Sequence, residues 1–162
     1  MLNKLLRLER PLGILDLETS GLNANSDRII QIALTIHYPD RDPIAWCSLV
    51  NPGIPITNQG SHKITDGDVA DAPTFKVIAP ALAPKMINID LSGHNAEKFD
   101  VPFLKAEMIR AGVVWDWKGH VIDTLVICRL KNAHTLENSF KHYVDPKGFE
   151  GSHDAGNDVS AT

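Results

Sequence analysis

Asp16 and Glu18 are the first residues of this chain whose types and spacing could do chemistry. In a strand, residues i and i+2 project from one face. The two carboxylates would then stand side by side, with Leu15 and Leu17 on the other face. Apolar neighbours strip them of water and their charges repel. A hard divalent cation with oxygen ligands relieves both costs; an edge strand with solvated acids is the plain alternative. Thr19-Ser20-Gly21 then turns the chain and exposes backbone N–H groups beside the pair. A second cluster, Gly93-His94-Asn95 to Phe99-Asp100, carries a strand into a loop and sets Asp100 at the mouth of a helix. Asp100 there is an N-cap ahead of Pro102 or a third acid of the site. His94 reads as structural, Asn95 as a cap or a substrate contact. The third cluster is Ser152-His153-Asp154-Ala155-Gly156-Asn157-Asp158. If a helix begins near His153, Asp158 lies about 500° further round, facing the sheet while His153 is free to swing over a site. Gly156 is poor for helix stability in a first turn, which weakens a purely structural reading.

The elements that must position these groups follow from periodicity. Gly13–Glu18 reads as a short buried strand. Arg28–Tyr38 alternates, with Ile30, Ile32, Leu34 and Ile36 on one face and Gln31, Ala33, Thr35 and His37 on the other, as a half-buried strand does. Tyr38-Pro39-Asp40 begins a turn, and Ile44–Val50 completes a hairpin across Pro39–Pro43. Consecutive, antiparallel strands are therefore expected to open the chain. A Pro/Gly-rich loop, 51–60, follows. Helix starts fall at Thr65-Asp66 and Thr74, the second helix being cut short or kinked by Pro80 and Pro84. Met86–Gly93 supplies a fourth strand. Val101, Leu104, Met108 and Ala111 make a helical stripe ended by Gly112. Val121–Asp123 is a fifth strand, and Asp123 or Thr124 caps a helix running to about Lys131. Leu136, Phe140 and Tyr143 mark another helix, and a last helix starts near Ser152 or His153 after the loop 145–151. Three strands, then helices and strands alternating, predict an α/β sandwich on a mixed five-stranded sheet flanked by helices.

Composition narrows the function. The 162 residues suit one domain with one core, and 43% hydrophobic with 22% charged residues is globular rather than disordered. No apolar run approaches the roughly 20 residues of a membrane span. The leucine-rich start carries Lys4, Arg7, Glu9 and Arg10, unlike a secretory signal. No membrane partner and a cytoplasmic location are expected. Cys47 and Cys128, 81 positions apart and outside any CxxC pattern, read as reduced, mostly buried thiols. A net charge of −4 argues against a broad basic face on long nucleic acid, but a pocket that grips one strand end needs few phosphate contacts.

Taken together and in order, the clusters resemble the DnaQ-like, or DEDDh, 3′-to-5′ exonucleases, of the RNase T and polymerase proofreading-subunit type. The family's D-[IL]-E-T-[TS]-G-L is matched by Asp16-Leu17-Glu18-Thr19-Ser20-Gly21-Leu22. Its G-H-N-x-x-F-D-x-x-F-L is matched by Gly93-His94-Asn95 and Phe99-Asp100-Val101-Pro102-Phe103-Leu104, with one extra residue between. Its H-D-A-x-x-D-x-x-A-T is matched by His153-Asp154-Ala155 through Asp158, Ala161 and Thr162. Asn51-Pro52-Gly53 and Ile64-Thr65-Asp66 match two further segments, although Lys63 stands where the family has a glycine. The resemblance implies an RNase H-like fold and a metal-dependent hydrolase of DNA repair or RNA processing. It further implies release of nucleoside 5′-monophosphates from the 3′ end of single-stranded DNA or RNA. It implies two divalent cations, Mg²⁺ or Mn²⁺, held by Asp16, Glu18, Asp100 and Asp158, with Asp16 bridging them, Glu18 and Asp158 on the ion that carries the attacking water, and Asp100 supporting the other partly through water. His153 is the implied general base, since an ordinary imidazole titrates near about 6.5. Thr19 and Leu22 would flank the terminal nucleotide, His62 and Phe99 would contact sugar or base, and Asn95 is a further candidate. Phe99 equally suits the core, and Trp115 and Trp117 read as packing residues. One exonuclease domain is expected over residues 1–162, trimmed where family members continue the last helix, with a DNA polymerase as a candidate partner. Two other readings compete: an endonuclease of the same fold, and a catalytically silent domain that binds nucleic acid or a polymerase.

Overall fold

The computed structural model describes residues 7–57, 62–130, 135–149 and 153–161. The expected helix end at Lys131, the helix start at Ser152 and the motif residue Thr162 lie outside them. The elements are β1 (Leu12–Thr19), β2 (Ile29–His37), β3 (Ile44–Leu49), α1 (Asp66–Val69), α2 (Phe75–Leu82), a 3₁₀ turn (Ala83–Met86), β4 (Asp90–Gly93), α3 (Asp100–Arg110), β5 (Val121–Asp123), α4 (Thr124–Leu130), α5 (Leu136–Tyr143) and α6 (Ala155–Ala161). The sheet runs β3-β2-β1-β4-β5. β1–β2 and β2–β3 are antiparallel, β1–β4 and β4–β5 parallel. This is the mixed five-stranded sheet flanked by helices that the alternation of elements predicts, with β1 at its centre.

One face of the sheet makes the main core. Leu15 and Leu17 of β1 and Ile32, Leu34 and Ile36 of β2 meet Phe75, Ile78 and Leu82 of α2 and Val101, Leu104 and Met108 of α3. The helical stripe on α3 is the one its spacing predicts, and Gly112, at φ 72°, ends the run just past the helix. Across the sheet α6 lays Ala155 and Val159 on Ile14 and Ala33. That contact corrects the expected half-buried β2: Ile29 to Leu34 are buried on both faces, Gln31 and Ala33 included, because small residues on both partners let the helix sit close. Asp16 and Glu18 share the parity of Ile14, so they point to the α6 side.

Two element starts and the burial of one thiol differ from expectation. β4 begins at Asp90 rather than Met86, because Pro84 at the start of the 3₁₀ turn extends the coil of α2 through Met86. α6 begins at Ala155, and its cap is Asp154, whose Oδ1 accepts the Asn157 N–H at 3.1 Å. Cys47 is exposed, not buried; β3 is an edge strand whose first residues face solvent. Trp115 and Trp117 stack with ring centroids 5.5 Å apart, and the Trp117 indole N–H donates to the Ile89 carbonyl at 2.8 Å. Among the described residues no helix is long and apolar enough to cross a membrane.

β4 can approach β1 at the site end only because residue 93 is glycine: a Cβ there would lie 2.6 Å from the Leu15 carbonyl oxygen. Gly93→Ala is expected to cost about 1–3 kcal/mol, read as a lower urea midpoint at unchanged m-value.

Candidate active site

The chain turns sharply where β1 ends. Register slips between Glu18 and Thr19, and the Ser20 N–H and hydroxyl both bond to Arg28, at 2.9 and 3.0 Å. A Cβ on Gly21 would fall 2.4 Å from Asp27 Oδ2, so glycine lets this loop close and present Leu22, which is 83% exposed. The Thr19 hydroxyl is turned inward, donating to the Gly21 carbonyl at 2.6 Å. An ion triad ties the loop to α3: buried Glu107 accepts from Arg110 at 2.9 Å, Arg28 stands 3.9 Å away, and Arg110 also donates to the Ala24 carbonyl. The loop after Glu18 and the helix headed by Asp100 are thereby held as one unit.

Asp16, Glu18 and Asp158 each offer a carboxylate oxygen, all within 4.8 Å of one another. Asp100 stands outside that group. It is the first residue of α3 rather than its cap, 3% exposed, and a hydrogen bond from the Leu17 backbone sets its carboxylate against β1, near enough for its charge to act on Asp16. Oδ2 of Asp16 and Oδ1 of Asp100 are buried without a hydrogen-bond partner. Burial, then the charges of Asp100, Asp158, Glu18 and Asp154, push Asp16 up to about 9. Burial, then Asp158, Asp154 and Asp100, push Glu18 up to about 8. Burial raises Asp100 to about 7 against the pull of its backbone donors, and Asp158 is raised by burial while His153 works the other way. All-oxygen donors crowded together, with one oxygen each of Asp16 and Asp100 buried and unbonded and with burial favouring their protonated forms, fit hard divalent cations.

The start of α6 supplies the last two groups. His153 sits at φ 69°, and its N–H donates to Asp158 Oδ2 at 3.1 Å. The turn thus binds the histidine and the aspartate five residues apart into one unit. Two residues that local sequence patterns did not mark as functional fix this turn and the loop before α3. Gln31 on β2, opposite Glu18, donates to Asp154 Oδ2 at 3.2 Å and accepts the Ala155 N–H at 3.0 Å. The partners are 123 and 124 positions apart, a separation no local pattern reveals. Asp123, expected only as a helix cap, accepts the N–H groups of Asn95, Glu97 and Leu125 at 2.9, 3.2 and 2.9 Å, and so pins the loop that leads to Asp100.

A cleft of about 520 Å³ opens at Asp16 and Asp158 and is lined also by His153 and Asn95. Asn95 adopts φ 71°, a region asparagine tolerates. The extra residue of its loop is absorbed in a turn that donates the Lys98 and Phe99 N–H groups back to the Asn95 carbonyl. Thr19, Leu22, His62 and Phe99 do not line this cleft. Phe99 packs against the core, its ring 4.9 Å from Phe103. His62 Nδ1 accepts the Ile64 N–H at 3.0 Å. Between them Lys63 takes φ 57°, strain on the order of 1 kcal/mol for a side chain where a glycine would have none.

Carboxylates clustered at the end of the central strand of such a sheet define an RNase H-like nuclease fold. A family model described as "Exonuclease", of RNase T type, matches residues 14–162, and the chain belongs to that family of nuclease hydrolases. It is 32% identical over 125 residues to DNA polymerase III PolC-type of Caldanaerobacter subterraneus subsp. tengcongensis, covering 75% of this chain and 9% of that one. It is 29% identical over 136 residues to Exonuclease DPD1, chloroplastic/mitochondrial, of Arabidopsis thaliana, covering 78% of this chain and 42% of that one. A crystal structure of E. coli Exonuclease I with a dA16 oligonucleotide superposes with a TM-score of 0.80 at 18% identity, over 95% of this chain and 39% of that one. The chain therefore spans between about a tenth and two fifths of these relatives.

The pH dependence of stability follows in sign. Groups raised to about 9, 8 and 7 favour the protonated folded state, so their contribution is complete below the ordinary carboxylate range and is lost as pH climbs through about 7 to 9. In a chelator the melting temperature is expected to fall between pH 5 and pH 9, and Mn²⁺ at pH 8 to restore it. Asp16→Asn is expected to flatten the fall and remove the Mn²⁺ gain; an unchanged pH slope in the variant would contradict the assignment.

Proposed function

We propose that this chain is a DEDDh-type exonuclease that removes nucleoside 5′-monophosphates from the 3′ end of single-stranded DNA or RNA, working as one domain. The observation that carries the reading is the convergence of Asp16, Glu18 and Asp158 within 4.8 Å, beside a cleft whose rim bears His153.

Asp16, Glu18 and Asp158 would hold two divalent cations, Mg²⁺ or Mn²⁺, with Asp100 as the fourth acid. When bound, such ions neutralise the carboxylates, acidify a bound water and stabilise negative charge on the departing oxygen. The protein's own groups do the rest. The imidazole of His153 takes the proton from the attacking water. Its placement comes from the turn whose N–H is bonded to Asp158, so base and acid move together. Leu22, projecting from the loop at the end of β1, suits an apolar wedge against the last base, and the exposed edge of half-buried Phe99 offers a second apolar contact. With its hydroxyl bonded to Gly21, Thr19 shapes the turn that presents Leu22. Contacts of this kind tolerate any base, so low sequence specificity is expected. The likeness to PolC-type polymerases supports a DNA polymerase as partner.

The test is a single-stranded oligonucleotide radiolabelled at the phosphate of its last 3′ linkage, with Mn²⁺, on variants whose melting shows an intact fold. Asp16→Ala is expected to lose activity to background, and His153→Ala to lose about 10²- to 10⁴-fold. The wild type should release mononucleotides alone. Products of mixed length would indicate endonuclease action, and full activity in Asp16→Ala would remove the metal assignment.

A further inference from the structure

The cleft beside the carboxylates has a wall that catalysis does not use. It is built on α4, which is fastened at its head: Thr124 donates its hydroxyl to the Gly93 carbonyl at 3.2 Å, lies 3.3 Å from His94 Nδ1, and is followed by the Leu125 N–H bonded to Asp123. The last turn of that helix carries Arg129 into the cleft. Among the described residues Arg129 is the only lysine or arginine lining the cleft, it is exposed, and it makes no ion pair. Its charge is felt at His94, whose protonated form it disfavours after burial has done most of that.

A cationic fork with no ion-pair partner among the described residues is out of place as structure here. Around it stand Asp16, Asp158 and Glu137 on the same cleft, in a chain of net charge −4. A polyanionic strand entering meets these three acids, and among the described residues Arg129 is the one lysine or arginine set against them. Direction is set by the other contacts: Leu22, His62 and Phe99, the candidates for the terminal nucleotide, lie outside this cleft. A strand whose last nucleotide rests with them, and whose scissile phosphate lies at Asp16, leaves over α4. A guanidinium matches a phosphate by paired hydrogen bonds, at a fixed angle that a lysine does not reproduce.

We propose that Arg129 grips the backbone phosphate on the 5′ side of the cleaved bond and so sets the register of the strand over the carboxylates. The proposal rests on the exonuclease reading, and the experiment separates the two. Binding of a 5′-fluorescein-labelled dT10 is followed by anisotropy in Ca²⁺ across a range of NaCl, for wild type, Arg129→Gln and Arg129→Lys. Turnover in Mn²⁺ is followed on the same oligonucleotide and on the 5′-p-nitrophenyl ester of thymidine monophosphate, which has the scissile diester but no upstream phosphate. Arg129→Gln is expected to weaken oligonucleotide binding about tenfold, to lower the slope of log Kd against log salt by about 0.7, and to raise KM with kcat little changed. Hydrolysis of the nitrophenyl ester should match wild type, and Arg129→Lys should recover part of the affinity and most of the salt slope. Unchanged Kd and slope in Arg129→Gln, or equal losses on both substrates, would overturn the proposal. Binding by the wild type without mononucleotide release would overturn the exonuclease reading alone, because the anisotropy arm reads the arginine without turnover.

Discussion

Mutual repulsion among carboxylates deprived of water is the constraint around which this molecule is arranged. Two like charges about 4 Å apart repel by ~4 kcal/mol at an effective dielectric of about 20, and here three acids offer oxygens within 4.8 Å while a fourth, buried, adds its charge to theirs. A fold selected for stability alone would not place Asp16 and Asp100 where each keeps a buried oxygen unbonded. The acids stay together because the elements beneath them are paired and packed. β1 is central in the sheet, with β2 and β4 on either side, and its other face is sealed by the core of α2 and α3.

Each acid reaches the cluster by a different route, and each route is locked separately. Asp16 and Glu18 are placed by the pleat of β1. Asp100 is placed by the head of α3, which the Glu107 triad fastens to the loop after β1. Asp158 and His153 arrive together on α6, which Gln31 clamps to β2 through Asp154 and Ala155. Gly13 and Gly93 allow the close approach of neighbouring chain segments, and Asp123 holds the connecting loop from beneath. Gln31, Glu107 and Asp123, buried outside the cluster, therefore have one function in common: they convert long-range contacts into fixed positions for negative charge.

Much of this was legible in the sequence, for physical reasons. Asp16 and Glu18 announce a shared face because strand period is two, and the stripe of Val101, Leu104 and Met108 announces α3 because helix period is 3.6. The five strands and their succession along the chain are legible in the same sequence, while their order in the sheet, β3-β2-β1-β4-β5, comes from the structure. The failures lie where a distant partner overrides a local signal. β2 alternates like a half-exposed strand, yet α6 arrives from more than 120 positions away and buries its second face. Met86 reads as strand, yet the 3₁₀ turn started at Pro84 outlasts it. The roles of Gln31 and Arg129 depend on which surfaces the fold brings together, and neither has a neighbour in sequence that reveals it. Lys63 is the converse case: the departure from a glycine marks a backbone position that the structure holds at positive φ.

The central claim is that the cluster exists to be neutralised by cations, which must then displace the protons that Asp16 and Glu18 retain. Titration calorimetry of Mn²⁺ into the chelator-treated protein at pH 7.5, repeated in buffers of different ionisation enthalpy, measures both the binding and the protons released. Saturable binding accompanied by net proton release, abolished in Asp16→Asn, is the expected result. Absence of binding would mean that the acids are crowded for some other reason, and binding with no protons released would mean that Asp16 and Glu18 are already ionised.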